Sequence, residues 1–198
     1  MRELLKRTAR AIAMVLVFPS VLSFRLRARI IGADRALQGS SQFWSLFPGI
    51  SGAYLRTGFY RQVLAECHPT VWIEFGVLFS SVKAELGENV YIGPRCHLGW
   101  VRIEKDVLIA PAVQIPSGPH THGTSDPDKP YRKQAGSPKQ VTIHVGAWLG
   151  ANAVVMGDVG ERAIVGAGAI VVAEVESRAL VAGVRARCLR QYGDGKKK

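Results

Sequence analysis

Cysteine and acidic residues are both scarce in this chain. Of 198 residues, three are cysteine, Cys67, Cys96 and Cys188. They are odd in number and show no CxxC spacing, which excludes a disulfide framework and a thiolate metal site and fits a reducing compartment. Asp and Glu together number 15 against 26 Lys and Arg, a formal charge of +11. Anions are therefore the favoured partners: phosphorylated cofactors, nucleic acid or an anionic membrane surface. Long apolar runs are missing too. The best candidate, Ala11 to Phe24, has about 14 residues against the roughly 20 a spanning helix needs, and Pro19 is expected to kink it.

The distribution of charge narrows the choice. Eight basic residues, Arg2, Lys6, Arg7, Arg10, Arg25, Arg27, Arg29 and Arg35, flank that run against Glu3 and Asp34. Arginines follow the run at once and no small-residue cleavage site does, so it is not a secretory signal. The expectation is an interfacial or re-entrant helix on the inner leaflet, arginines against anionic headgroups, which makes the protein cytoplasmic and peripheral to the inner face of the membrane. Packing of the same helix on protein is the alternative. The basic residues gather beside an apolar run and form no aromatic-interleaved groove, so nucleic acid is not expected.

Gly39-Ser40-Ser41 reads as a polar break, and the stretch after it, from Phe43 to Tyr60, is the most aromatic of the protein. Tyr54 to Cys67 has helical spacing and is closed by Pro69. This segment is expected to cap the next one and to turn an aromatic face to lipid.

From there a different period takes over. Leu86, Ile92, Leu98, Ile103, Ile109 and Ile115 recur six apart except for one five-residue step. Ile143, Leu149, Val155, Val159, Val165 and Val171 do so except for one four-residue step. A helix repeats at 3.6 and a strand at 2; a sustained six with small residues beside each aliphatic fits a coil of short parallel strands that buries a core only by stacking. The predicted fold is a mainly β, parallel β-helix of hexapeptide repeats over 71–175, preceded by a helical, membrane-seeking segment over 1–70 and followed by a closing segment and basic tail over 176–198. The period stops over 116–140, a Pro- and Gly-rich excursion of the kind that is functional or disordered. That excursion carries His120 and His122, whose neutral imidazoles are able to accept a proton. Exposed loop histidines without a role are the alternative.

Trp148-Leu149-Gly150, Gly166-Ala167-Gly168 and the closing Val181-Ala182-Gly183 before Arg185, together with the loop histidine, resemble the hexapeptide-repeat acyltransferases of the left-handed β-helix class. The likeness runs from Val71 to Arg190. SLFPGISGAYLRTGFYRQVL ahead of FGVLFS and VYIGPRCHLG is similar to a branch of bacterial polysaccharide O-acetyltransferases. Left-handedness is implied by this resemblance alone, since parallel crossovers are otherwise right-handed. The resemblance further implies a homotrimer, acetyl-CoA as acyl donor in a groove between neighbouring solenoids, His120 as general base with His122 beside it, and no metal. Residues implied along the coenzyme A groove are Trp148, Gly150, Ala151, Ala167 and Gly168, with Arg187 and Arg190 near the phosphates. The chain departs from the pattern at Ala173, where lysine is common, at Val184-Arg185, where proline is usual, and in the shortened step between Val155 and Val165.

The function expected is O-acetylation of a sugar hydroxyl on a lipid-linked glycan or surface polysaccharide precursor. N-acetylation of an amino sugar and a non-catalytic, membrane-attached scaffold are the alternatives. His97 and His144, in coil positions, are expected to be structural or groove-lining. A zinc site built from these histidines is a minor reading.

Overall fold

The computed structural model describes residues 2–192; the terminal lysines Lys196 to Lys198 lie outside that range. Three helices, α1 (Arg2–Ile31), α2 (Ala33–Ser45) and α3 (Gly49–Val63), precede a left-handed parallel β-helix. In chain order its strands are β1 (Glu66–Cys67), β2 (Trp72–Ile73) and β3 (Leu78–Phe79) in the first turn, then β4 (Glu85–Leu86), β5 (Tyr91–Ile92) and β6 (His97–Leu98). The third turn is β7 (Val101–Ile103), β8 (Leu108–Ile109) and β9 (Gln114–Ile115), and after the excursion come β10 (Val141–Ile143), β11 (Trp148–Leu149) and β12 (Val154–Val155). β13 (Ile164–Val165), β14 (Ile170–Val171), β15 (Ala179–Ala182) and the antiparallel β16 (Arg187–Gln191) complete the stack.

Successive strands step around three faces. Face A stacks β1, β4, β7 and β10 and continues as single bridges through Val159 and Val175. Face B runs from β2 to β15 and ends on β16; face C stacks β3, β6, β9, β12 and β14. Most strands point an aliphatic inward, and Leu86, Ile92, Leu98, Ile103, Ile109, Ile115, Ile143, Leu149, Val155 and Val165 are buried in one column. Each contributes about 1.5–3 kcal/mol of burial. Backbone bonds join turn to turn, as in Gly93 N to Ile109 O at 2.8 Å.

The irregular steps all fall at one corner. From face A to B and from B to C the inward residues are always six apart. From C back to A the spacing is seven (Phe79 to Leu86), five (Leu98 to Ile103), twenty-eight (Ile115 to Ile143) and four (Val155 to Val159, Val171 to Val175). The C–A corner absorbs length changes without disturbing register, and the excursion leaves from it.

The N-terminal elements differ from the sequence expectation in three ways. First, α1 continues through Pro19 and is 30 residues long, long and apolar enough to cross a membrane by length and composition. Its charged ends are helical as well, so counting only the uncharged stretch made it too short. Second, Gly39-Ser40-Ser41 lies inside α2. Ser40 Oγ accepts from Arg27 at 2.8 Å, and Ser41 Oγ meets Tyr60 Oη at 2.7 Å while accepting from Phe79 N at 2.8 Å. These small polar residues let helices and solenoid approach closely, with their hydroxyls satisfied. Third, the helix expected at Tyr54–Cys67 is α3, Gly49–Val63, and Glu66–Cys67 is already the first strand of face A, paired to Glu85–Leu86. Buried Arg56 ties the cap to the solenoid by donating from Nε to Ile73 O at 2.9 Å and from Nη1 to Phe47 O. Burial holds its pKa below the ordinary arginine value.

Candidate functional site

The excursion is folded. Its two limbs run antiparallel: Lys139 N donates to Ser117 O at 2.9 Å, Ser137 N to His120 O at 2.8 Å, and Gly123 N to Gln134 O at 3.5 Å. A side chain on Gly136 would press against Thr121 O at 2.3 Å, so glycine lets the limbs close. Gln134 is buried and holds the tip, donating to Asp126 O and Lys129 O, both at 2.7 Å, and accepting from Asp126 N at 3.1 Å. A short 3₁₀ turn, Tyr131–Lys133, completes it. Where the returning limb rejoins face A, Glu85 accepts from Arg102 Nε at 2.6 Å and from Gln140 Nε2 at 3.1 Å. The bond from Arg102 is the main reason its carboxyl titrates below the ordinary range.

Below the loop, on face C, lies a cleft of about 510 Å³ lined by His97, Gln114, Ser117, Thr121, His122 and Val154. A smaller one of about 230 Å³ adjoins it through Ser80 and His97 and reaches Gln38 and Gln42 on α2. Hydroxyls, amides and imidazoles line both; no carboxylate, Lys or Arg does. The two loop histidines differ in outlook. Both are exposed, but His122 lines the cleft and His120, on the same limb, is not among the lining residues. Asp126 and Asp128 serve the turn, Asp128 N donating to Asp126 Oδ1 at 3.1 Å. Among the described residues the one histidine–carboxylate pair is His144 Nδ1 with Glu104 Oε2 at 3.3 Å, a brace on face A away from the cleft. Also among the described residues, no three His, Cys, Asp or Glu side chains are gathered as a metal site.

The residues expected along a coenzyme A groove lie on face B and at the B–C corner. Trp148 is exposed on face B between Leu108 and Ile164. Ala151 and Ala167 stack at the B–C corner, where Gly168 N donates to Ala151 O at 2.8 Å. Ala167 and Gly168 are exposed, and open space lies around Gly168, whose φ is +68°. Gly150 is buried instead: a Cβ there would lie 2.5 Å from Ala167 N, so stacking of the turns explains this glycine. Arg187 and Arg190 are exposed on β16, the Arg190 guanidinium 5.0 Å from the centre of the Tyr192 ring.

Within one chain the structure therefore groups Ala151, Ala167 and Gly168 at the B–C corner and sets the loop histidines at the C–A corner, with face C between them. Ser80, Gln114 and Thr121 were not read from the sequence as site residues. The signal for two of them is positional: each outward residue of face C directly precedes or follows an inward aliphatic or aromatic, as in Gln114-Ile115 and Phe79-Ser80.

The fold and its repeat define a class, the left-handed parallel β-helix built from hexapeptides. The chain matches no protein-family profile and no curated protein sequence. Among solved structures it is similar to a maltose O-acetyltransferase from Clostridium difficile 630, with TM-score 0.69 and 16% identity over 81% of this chain and 89% of that one. A hexapeptide-repeat containing acetyltransferase from Vibrio cholerae gives 0.66 and 20% over 81% and 93%. A galactoside acetyltransferase in complex with coenzyme A gives 0.60 and 21% over 88% and 83%. At these identities the likeness is one of fold.

Proposed function

We propose that the protein is an acetyl-CoA-dependent O-acetyltransferase acting on a sugar hydroxyl of a lipid-linked glycan, assembled as a homotrimer on the inner face of the cell membrane. The observation that carries this reading is the separation just described. An open ledge of small residues suited to a thin pantetheine arm lies at one corner, and a rigid loop with two imidazoles at another. A transfer site needs both, and one copy's loop set against the next copy's ledge supplies both. The fold shared with structures named as acetyltransferases, one of them holding coenzyme A, supports the donor.

In this reading His120, outward on the clamped limb, takes the proton from the acceptor hydroxyl, and the oxygen attacks the thioester carbonyl. The tetrahedral intermediate collapses with release of the coenzyme A thiolate, which takes up the proton held by His120. A backbone N–H stabilises the oxyanion. His122 and His97, in the uncharged cleft, bind the acceptor's neighbouring hydroxyls. Ala167 and Gly168 leave room for the donor, with Trp148 beside them. Arg187 and Arg190 meet its phosphates.

The interfacial placement rests on α1. Its inward stripe, Ala13, Val17, Val21 and Phe24, is buried, while Leu4, Leu5, Ile12, Val15, Leu16, Phe18, Leu22, Leu26 and Ile30 are exposed. Trp44 Nε1 donates to Ser20 at 3.1 Å and Gln62 Nε2 to Met14 O at 3.3 Å, so α1 is tied along its length to α2 and α3. A helix tied in this way favours lying in the interface over crossing alone.

The test is coenzyme A release from acetyl-CoA with a glycolipid extract as acceptor. His120→Ala is expected to lower kcat by about 10²–10⁴-fold, the usual worth of a general base, and His122→Ala to raise the acceptor KM. Loss of kcat in His122→Ala alone would exchange the two roles; no turnover by the wild type would refute the transferase.

A further inference from the structure

A separate cavity of about 280 Å³ opens under the first turns of α1, between them, α3 and the first solenoid turn. Glu3, Lys6 and Arg10 line one side, and Tyr54 and Trp72 the other, their rings edge to face at 5.8 Å. Three- and four-residue spacing sets Glu3, Lys6 and Arg10 on the same face of α1 that further along buries Ala13, Val17 and Val21. The Lys6 and Glu3 side chains are 51% and 70% exposed, so the charged side of the cavity is open to water. Glu3 bonds Lys6 Nζ at 2.9 Å, and its carboxyl is held below the ordinary range first by Lys6, then by Arg10 and Arg7. Arg10 has no carboxylate within ion-pair distance among the described residues. The surroundings of the cavity remain cationic.

The outer face of these same turns presents Leu4 and Leu5 to solvent, at 69% and 64% exposure, at the start of the apolar strip that continues to Ile30. Cations at the mouth of the cavity and leucines on the outer face of the same turns match the two ends of a phospholipid. The cavity also sits at the first turn of the solenoid, far in the stack from Ala167 and Gly168, so the donor's own phosphates do not account for it.

We propose that this cavity binds the phosphate of a membrane lipid headgroup, with Lys6 and Arg10 as its ligands and the acyl chains lying along the outer face of α1. The assignment rests on the interfacial reading of that helix. It makes attachment selective: the apolar strip supplies adhesion to any bilayer, and the cavity adds preference for an exposed phosphate monoester.

The full-length chain tests this by co-flotation with vesicles of phosphatidylcholine alone and of phosphatidylcholine with phosphatidic acid. Wild type is expected to bind both, and the second roughly thirtyfold more tightly, given about 1 kcal/mol for each of the two basic ligands near an anionic surface. Lys6→Gln/Arg10→Gln is expected to keep phosphatidylcholine binding and lose the preference, whereas Arg25→Gln/Arg29→Gln keeps most of it. If the preference survives in the first variant, or disappears only in the second, the cavity is not the site. Failure of wild type to bind any vesicle overturns the interfacial reading and the site with it; intact phosphatidylcholine binding with no phosphate preference overturns the site alone. Saturable change in Trp72 emission with inorganic phosphate, in the absence of vesicles and at equal affinity, would make free phosphate the ligand and overturn the lipid assignment.

Discussion

Gly150 and Gly168 look equivalent as letters in a repeat and are opposite in what they tolerate. A methyl at Gly150 would be driven to 2.5 Å from Ala167 N, between two turns whose spacing is fixed by backbone bonds; at Gly168 nothing lies within 4 Å and only the positive φ resists. Gly150→Ala is therefore expected to destabilise by about 1–3 kcal/mol, the range for overpacking, and Gly168→Ala by about 1 kcal/mol, the cost of a left-handed residue. Thermal unfolding of the two variants checks the order. The repeat period located both residues, but it carries no information on which neighbour a missing Cβ makes room for. The thiols are a parallel case. Burial pushes Cys67 up to about 12 and Cys96 up to about 11, whereas Cys188 is exposed. At pH 8 one thiol per chain is expected to react quickly with a maleimide and the other two only after unfolding.

Among elements, the solenoid was the readable part, because each inward aliphatic is both the local signal and the core contact. The broken steps at Leu98–Ile103 and Val155–Val159 were visible as irregularities; that they share one corner with the excursion emerges only when the faces are stacked. The helices were less readable. Ser40 and Ser41 are turn formers by composition, and their bonds to Arg27, Tyr60 and the Phe79 amide override that preference from 13 or more residues away. The foot of the excursion makes a pH prediction. Glu85 titrates lower in the folded chain than its unfolded value of about 4.3. Its contribution is therefore fully present above that value and lost as pH falls below it toward the folded pKa. Glu85→Gln is expected to flatten stability against pH below about 4.3, seen as a smaller acid-induced drop in Tm than in wild type.

For the whole molecule, the N-terminal helices, the uncharged cleft and the ledge of small residues belong to three sides of one object. α1 turns its apolar strip away from the solenoid it is tied to, α2 carries Gln38 and Gln42 to the edge of the cleft, and the ledge faces outward at the B–C corner. Under the proposed function, this arrangement would let a membrane-held acceptor and a soluble donor approach by different routes. The sequence yielded the loop histidines and the ledge as separate motifs. It could not show that they sit at different corners, which depends on the handed winding of five turns.

That separation is the account's central claim, and subunit complementation tests it most directly. His120→Ala and Ala167→Trp each disable one half of the site and are expected to be inactive as pure assemblies. Co-expressed in equal amounts, they place an intact loop against an intact ledge at about a quarter of the interfaces in a closed trimer, and roughly that share of wild-type acetyl transfer is the predicted result. A mixture as inactive as its parents, from co-purified heteromers and beside an active wild type, would mean that the loop and the ledge do not meet across copies, and would contradict the account.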